Sequence, residues 1–517
     1  MPKLHFASFP TESRAVSLID SAGQSIRSVA RTVGVPKSTL HDNLGKYRVD
    51  IASFETWRQS SERRLVRDIL SQTFEGKASS RDCAAVISRS TGHEVSHQKV
   101  LLVLQQAAKV ASEKNNERLK LKLLTGADDV EAEPLSLVKC AAFDEIFQKQ
   151  RPVLGFVDPV SSFVYLDAPA DRSEKSWTDF LNKLRSLGLN PDSTVTDGGQ
   201  GMLKALKKVF PNALQFRDLF HVRYKLSKAL RALEGICYGL IAAHDKALKS
   251  SVGEDENTVA KLKMRMEKAI LIFDALEHEV KLLGQACYFE NQKGHISSKQ
   301  VGIIADRIVA LIDCGERNGI KHRAVRAAKT YLAGARNNIV AYKAYVEQIV
   351  TSQFGAINAH AVLDSICPII EFLDQIQRSY ENDKQRAYWT NKLVEARARF
   401  RQFHFIDQTE VDRAIDATAQ IMGRAKKSNS LIEAINSVIR RHLVTYKSIP
   451  SWFCPLFTFY WNHRKFKRGK RRNLRPREIL TGKPFEQDWI EVLLDAFPFE
   501  ATTQSAAGSA QDATDAA

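Results

Sequence analysis

The sequence has no pair of cysteines spaced to form a local zinc motif. Its seven cysteines are scattered, and no two have the C-x2-C spacing of such sites. They stand mostly in apolar stretches, which is typical of reduced, buried thiols in an intracellular protein. The chain also lacks a run of about 18 apolar residues. We therefore expect a soluble, cytoplasmic protein that does not use a membrane.

Acidic residues are few relative to basic ones. The 517 residues include 76 Lys and Arg against 59 Asp and Glu, which gives a formal net charge of +17 at pH 7. A protein this basic favours polyanions, and nucleic acid is the first candidate. Ribosomal and other RNA-binding proteins have the same charge, so it indicates a class of partner but no activity. The length predicts about three domains.

Residues 1–55 are predicted to form a first helix-turn-helix unit. Helical patterns cover residues 14–20 and 25–33, Gly34 and Val35 make a turn, and Pro36 opens a third helix. Near its N-terminus, where such modules meet DNA bases and phosphates, that third helix carries Lys37, Ser38, Thr39 and His41. The alternative is an ordinary three-helix packing unit.

Residues 56–125 are predicted to form a second unit of the same kind. Its helices would cover residues 62–70, 79–87 and 95–104. The DNA-contacting residues at the start of the last helix would be Ser96, His97, Gln98 and Lys99. Two tandem units could contact successive stretches of one DNA site. The acidic segment 126–137 is predicted to be a linker.

A mixed sheet flanked by helices is predicted over residues 138–222. Strand patterns cover residues 138–147, 151–157, 162–167, 193–197 and 213–221, the last of them a strand or its exit. Helical patterns cover residues 173–187 and 201–210, with Ser173 as the cap of the first. The order is β-β-β-α-β-α-β, which indicates an α/β core.

The rest of the chain is predicted to be mainly helical. Residues 223–425 have few strand signals and read as a large all-helical insertion, and residues 426–500 hold the second part of the core with a basic C-terminal segment. Residues 501–517 are low in complexity and predicted to be disordered. The predicted fold class is therefore multidomain and mainly α, with an α/β core that the insertion interrupts.

Three acidic residues could meet at one rim of this sheet. Asp144 lies on the first strand, and Asp197 ends a strand that would lie beside it, where Gly198 and Gly199 leave room for a ligand. Glu433 lies on an amphipathic helix and shares a face with Asn436 and Arg440. Carboxylate oxygens suit Mg²⁺, and two such ions can promote an in-line phosphodiester displacement.

At these residues the chain resembles bacterial insertion-sequence transposases of the DDE class, which have an RNase H-like catalytic core. The resemblance covers roughly residues 140–222 and 426–482. It rests on five motifs, 143–147 (F-D-E-I-F), 195–202 (V-T-D-G-G-Q-G-M), 210–213 (F-P-N-A), 218–222 (D-L-F-H-V) and 428–440 (S-N-S-x2-E-x2-N-x2-I-R), and on the closing segment 462–482. The D-x-F-H motif is frequent in families with a helical insertion before the glutamate.

The resemblance implies a set of roles for these residues. Asp144, Asp197 and Glu433 would be catalytic and would bind two Mg²⁺ or Mn²⁺ ions, with Asp218 and His221 supporting the site. Asn436 and Arg440 are candidates to orient the glutamate or to touch the scissile strand. The basic segment is expected to bind DNA phosphates through Arg464, Lys465, Lys467, Arg468, Lys470, Arg471 and Arg472.

Several of these assignments have simpler alternative interpretations. Asp158 and Asp167 are rivals for the first carboxylate, although both positions are typical of turn or cap residues. His221 could be a histidine satisfied at a strand exit, and Trp389 is expected in a core rather than stacked on a flipped base. The basic run could be a solvated face.

The predicted function is DNA transposition in the bacterial cytoplasm, at the nucleoid. The protein would bind the ends of its element in double-stranded DNA, cleave a strand by metal-dependent hydrolysis and join the 3′-hydroxyl to target DNA. Because two ends must be brought together, we expect at least a homodimer on DNA. The alternatives are a non-catalytic DNA-binding regulator and an RNase H-like nuclease without strand transfer.

Overall fold

The computed structural model describes most of the chain. The described residues are 15, 18, 19, 24–92, 94–117, 119–121, 130–132, 135–148, 151–249, 256–289, 294–379, 382–402, 413, 415–419, 422, 430–444, 446, 448–469 and 471–499. The predicted tail 501–517, Lys470 and most of the predicted first helix lie outside them. Among the described residues no helix is long and apolar enough to cross a membrane.

The helices and strands of the described residues are numbered here in chain order. The helices are α1 (Ile26–Val33), α2 (Lys37–Phe74), α3 (Ser80–Thr91), α4 (His97–Asn116), α5 (Glu174–Ser186), α6 (Gln200–Val209), α7 (Leu219–Lys249), α8 (Glu256–Cys287), α9 (Ser298–Arg317), α10 (Arg323–Ala361), α11 (Cys367–Arg378), α12 (Asp383–Gln402), α13 (Ser430–Leu443), α14 (Phe453–His463), α15 (Pro476–Thr481) and α16 (Trp489–Asp495). The strands are β1 (Leu119–Leu121), β2 (Val130–Ala132), β3 (Cys140–Gln148), β4 (Arg151–Val157), β5 (Val164–Asp167), β6 (Ser193–Thr196) and β7 (Leu214–Arg217). A π-helical turn, Val362–Ile366, joins α10 to α11.

The chain divides into two compact units. The first comprises Met1–Ala111 with Gln487–Ala517, and the second is Ser112–Glu486. In the first unit α1 is capped by the Ser25 side chain, which accepts a hydrogen bond from Ser28 N at 3.2 Å, and it ends at Gly34 with φ 71°.

The predicted helices at residues 37–44 and 62–70 form one continuous helix, α2, of 38 residues. Between them the sequence has no proline and a single glycine, Gly45, which costs about 1 kcal/mol relative to alanine but does not end a helix. Further along α2, Arg63 and Arg67 form ion pairs with Glu491 of α16 at 3.1 and 2.6 Å. The two predicted helices are therefore parts of a single long helix.

The second unit contains a five-stranded mixed sheet of strand order β5-β4-β3-β6-β7. β3, β4 and β5 pair antiparallel, whereas β6 and β7 run parallel to β3. The register sets Asp144 opposite Gly155 and Phe143 opposite Thr196. The predicted mixed sheet is confirmed. The pairing of β1 with β2, on either side of residues 122–129, was not predicted.

Both faces of the sheet are covered by helices. On one face Phe143 and Phe156 pack with Trp177 of α5 and Leu206 of α6. On the other face Cys140, Val195 and Phe216 join a core built mainly by α7 to α11. The described residues of the predicted insertion form helices joined by short loops, with no strand among them. The protein is therefore mainly helical with a small mixed sheet, as the sequence predicted.

Helix side chains also close both edges of the sheet. At the β5 edge Asn462 accepts a hydrogen bond from Val164 N and donates one to Val164 O, each at 2.9 Å, as a neighbouring strand would. At the β7 edge the Asn338 amide of α10 donates to Gln215 O at 2.8 Å. Because unpaired strand edges favour association with other chains, these contacts protect the sheet.

Candidate active site

The first predicted carboxylate, Asp144, is buried in the middle of the sheet. Its side chain lies on β3 and is 7% exposed. Its Oδ1 accepts a hydrogen bond from Glu145 N at 2.8 Å, and its Oδ2 accepts one from the Asn436 amide at 2.7 Å. Both carboxylate oxygens therefore have defined donors, which fix the orientation of the group.

Helix α13 reaches Asp144 because its apolar stripe packs against the sheet. Ile432, Ile435, Ile439 and Leu443 are no more than 1% exposed, as expected of the apolar side of an amphipathic helix. The helix packs over Gly155, opposite Asp144, where Ile432 Cδ1 lies 3.5 Å from the place a Cβ would occupy. This packing places Glu433 in the first turn of α13 and turns Asn436 inward.

Asp197 follows directly on β6, the strand beside β3. Its Oδ1 accepts a hydrogen bond from Gly199 N at 3.1 Å, and its backbone carbonyl accepts one from the Tyr331 hydroxyl at 3.1 Å. Gly198 has φ 95°, and a Cβ added there would fall on the Arg217 guanidinium. The loop that carries Asp197 is therefore held between the sheet and a tyrosine of α10.

Asp218 and His221 form a hydrogen-bonded pair beside this loop. Asp218 is fully buried, receives a hydrogen bond from Phe220 N at 2.8 Å and caps α7, which is why the chain turns from strand to helix at this point. Its other carboxylate oxygen lies 2.8 Å from His221 Nδ1. The opposite ring nitrogen, Nε2, lies 3.7 Å from Glu433 Oε1. His221 thus stands between two of the predicted site residues.

The acidic groups act on one another electrostatically. The pKa of Asp144 is raised to about 7, chiefly by burial and also by the charges of Asp197 and Glu433, while the Glu145 N–H and His221 act in the opposite direction. The hydrogen bond to Asp218 raises the pKa of His221, against the effect of burial, and Glu433 and Asp197 contribute in the same direction. Excess negative charge is therefore concentrated around Asp144.

The oxygen donors of this site suit a hard divalent cation in their chemistry. Among the described residues no group of three or more His, Cys, Asp or Glu side chains stands ready to hold a metal. Asp144, Asp197 and Glu433 nevertheless lie close enough for the last two to disfavour the ionised form of the first. A cation bound between these carboxylates would relieve that repulsion.

Three further observations bear on the predicted site. Arg440 is solvent-exposed on α13, one turn beyond Asn436. Asp158 accepts hydrogen bonds from Val160 N and Ser161 N, as expected of a turn residue. Asp167 accepts one from Ala168 N at 2.9 Å, as expected where a strand ends.

Two residues beside the Asp197 loop, Arg217 and Tyr331, were not predicted as site residues. The Arg217 guanidinium lies 5.4 Å from the centre of the Tyr331 ring, and its buried Nε and Nη1 have no hydrogen-bond partner. Arg217 directly precedes the predicted site residue Asp218, and this position could have indicated that Arg217 lies near the site. Tyr331 comes from the insertion, and nothing in its local sequence connects it to Asp197.

In the first compact unit, the residues predicted to contact DNA lie at the N-termini of helices α2 and α4. Lys37, Ser38, Thr39 and His41 are exposed at the start of α2. Ser96 accepts a hydrogen bond from Lys99 N at 3.2 Å at the start of α4. Ser96, His97, Gln98 and Lys99 are all exposed. Their contact with DNA stays a prediction.

The basic run after α14 separates into two groups. Arg464 lies 3.8 Å over the Trp461 ring, and Arg471 donates to Val160 O at 2.7 Å, so both are tied to the protein. The members of the run with exposed side chains are Lys465, Lys467, Arg468 and Arg472.

Trp389 stacks on Phe372 at 5.9 Å in a small core of α11 and α12, as expected of a core residue.

No protein-family model matches this sequence, and no curated protein matches it at a significant level.

Proposed function

We propose that this protein is a DDE-type DNA transposase with an RNase H-like core. The observation that carries the proposal is geometric: Asp144 lies on β3, Asp197 directly follows the neighbouring strand β6, and the helix of Glu433 is joined to Asp144 by the Asn436 hydrogen bond of 2.7 Å. The strand order β5-β4-β3-β6-β7, with three antiparallel strands followed by two parallel ones, supports the RNase H-like assignment. The net charge of +17 supports DNA as the partner.

The reaction would be an in-line displacement at a DNA phosphate. Water attacks phosphorus at the end of the element, and the bond to the leaving oxygen breaks to give a 3′-hydroxyl and a 5′-phosphate. That hydroxyl then attacks a phosphate of the target, so that one phosphodiester bond forms as another breaks. Two Mg²⁺ or Mn²⁺ ions bound by Asp144, Asp197 and Glu433 would supply charge stabilisation for the attacking and leaving oxygens.

The remaining side chains would position these three carboxylates. Asn436 holds one oxygen of Asp144 at 2.7 Å. Tyr331 holds the backbone of Asp197 at 3.1 Å. His221, oriented by Asp218, lies 3.7 Å from Glu433 and balances part of its charge. The N-terminal helices would bind the element ends, and two copies would bring two ends together in the bacterial cytoplasm.

A cleavage and joining assay tests the proposal. The purified protein is incubated with Mg²⁺ and a plasmid that carries the DNA flanking its own coding region. Asp144→Asn, Asp197→Asn and Glu433→Gln are compared with Asp179→Asn, which alters an exposed carboxylate on α5. We expect strand cleavage and joined products from the wild type and from Asp179→Asn, and none from the other three.

Each other result would count against a part of the proposal. Equal cleavage by all variants would reject the three-carboxylate site. DNA binding by the wild type without cleavage would favour a non-catalytic regulator. Cleavage without joined products would favour a nuclease.

A further inference from the structure

Two aromatic rings are exposed next to each other on the first turns of α7. Phe220 is 43% exposed and Tyr224 is 51% exposed. Their centroids are 6.4 Å apart and their planes differ by 17°, so the rings are nearly parallel. Single exposed aromatics are common on protein surfaces, whereas this pair presents two flat apolar rings side by side.

Positive charge accompanies these rings on the same side of the helix. Arg223 and Lys228 are exposed, and their spacing from Phe220 and Tyr224 places all four side chains on one face of α7. The opposite face, with Val222, Leu226 and Ala229, is buried in the core of the insertion. We call the exposed set, Phe220, Arg223, Tyr224 and Lys228, the α7 face.

The α7 face begins at the candidate active site. The Phe220 ring stands perpendicular to the His221 imidazole, with 5.7 Å between their centres. His221 Nε2 in turn lies 3.7 Å from Glu433 Oε1. A DNA strand whose phosphate lies at the carboxylates would therefore have its neighbouring nucleotides within reach of these rings.

We propose that the α7 face binds unpaired nucleotides of the strand that is cut. The flat faces of Phe220 and Tyr224 would stack on bases, and Arg223 and Lys228 would pair with the adjacent phosphates. Bases within a duplex already stack on one another, so their faces are not available to these rings. The α7 face would therefore select single-stranded DNA and hold the region next to the cut open. This inference rests on the proposed function.

A binding experiment without metal tests the inference separately from catalysis. Single-stranded and duplex oligonucleotides of the same sequence carry 2-aminopurine, and anisotropy and base fluorescence are measured in EDTA. The double variant Phe220→Leu and Tyr224→Leu keeps an apolar, helix-forming surface but removes both rings. We expect its affinity for single strands to fall about tenfold or more. Its quenching of 2-aminopurine should be lost, and its affinity for duplex should change less than about twofold.

The matched control is Tyr238→Leu. Tyr238 is 65% exposed on the same helix but lies farther along it, so its loss should leave both affinities unchanged. Unchanged single-strand affinity and quenching in the double variant would overturn the inference. An equal loss on duplex and single strands would also overturn it, because it would indicate contact through charge alone.

The binding result and the cleavage result are independent. If the wild type fails to cut DNA but quenches 2-aminopurine through Phe220 and Tyr224, the transposase proposal fails while stacking by the α7 face stands. If the wild type cuts and joins DNA but the double variant binds and quenches like the wild type, only the inference fails. Thermal unfolding of each variant checks that it is folded.

Discussion

Asn436 donates its side-chain amide to Oδ2 of Asp144 across 2.7 Å, although 292 positions separate the two residues in the chain. Both side chains are buried, at 3% and 7% exposure. The bond joins the helix that follows the insertion to the strand that precedes it. It is therefore a direct link between the two sequence segments that make up the proposed core.

Replacement of Asn436 by alanine should destabilise the protein. The buried Asp144 carboxylate would keep the hydrogen bond from Glu145 N but would lose the one from Asn436. The loss should lower the free energy of unfolding by about 1–3 kcal/mol. Urea denaturation measures the loss. Ser437→Ala, an exposed change on the same helix, is the control. If both variants lose the same stability, the hydrogen bond is not what stabilises this region.

Asp144→Asn should remove activity without lowering stability. Burial and the charges of Asp197 and Glu433 already disfavour the ionised form of Asp144, so a neutral side chain of the same size removes an unfavourable charge. The Asn436 amide can rotate so that its oxygen accepts from the new Nδ2. We expect an equal or higher unfolding midpoint and a smaller rise in that midpoint on addition of Mn²⁺ than in the wild type. A clearly lower midpoint would contradict this account of the site.

Two adjacent glycines offer a matched test of the loop at Asp197. Gly198 has φ 95°, and a Cβ there would displace Arg217, whereas the nearest atom to a Cβ at Gly199 would be 3.7 Å away. Gly198→Ala should therefore cost at least about 1–2 kcal/mol, because the left-handed backbone is strained for alanine. Gly199→Ala should be close to neutral. Chemical denaturation compares them, and similar losses would show that the loop can rearrange around a methyl group.

Low pH should weaken the hydrogen bonds that Glu347 makes within the helical insertion. Burial opposes the charge of Glu347, but hydrogen bonds from His295 and Ser298 outweigh it and hold its pKa below the ordinary value. A lowered carboxyl pKa stabilises the fold above the unfolded pKa of about 4.3, and this contribution is lost as the pH falls through the folded value.

The corresponding experiment compares Glu347→Gln with the wild type at several pH values. The wild type should be more stable at about pH 7, and the difference should shrink below about pH 4. Glu277→Gln changes an exposed carboxylate on α8 and should show no such trend. A difference that stays constant with pH would mean that the charge of Glu347 does not matter.

Local sequence patterns predicted the helices and strands better than they predicted the contacts between them. Alternation and capping predicted β4 at residues 151–157 and α5 after Ser173, and both were confirmed. An amphipathic helix was also predicted around Glu433, and the apolar side of α13 is buried. These features depend on neighbours in sequence, and a single chain carries that information.

Features that depend on distant partners were missed. Nothing near Tyr331 indicates that its hydroxyl binds the carbonyl of Asp197, because the two are 134 positions apart. The length of α2 was also missed, because the segment between the two predicted helices has no clear apolar periodicity of its own, yet the helix continues through it. Asn436 was placed on the right face, but its partner became clear only from the packing over Gly155.

The 292-residue separation of Asp144 and Asn436 has a consequence during protein synthesis. At ordinary translation rates the ribosome needs roughly 15–60 s to make that stretch. For most of this interval, from the synthesis of Asp197 to that of Glu433, the nascent chain carries Asp144 and Asp197 but neither Glu433 nor the amide that orients Asp144. A transcript cut short anywhere in the insertion yields a product without a complete carboxylate set. Under the proposed function, only copies that extend beyond the insertion and α13 would be able to cut DNA.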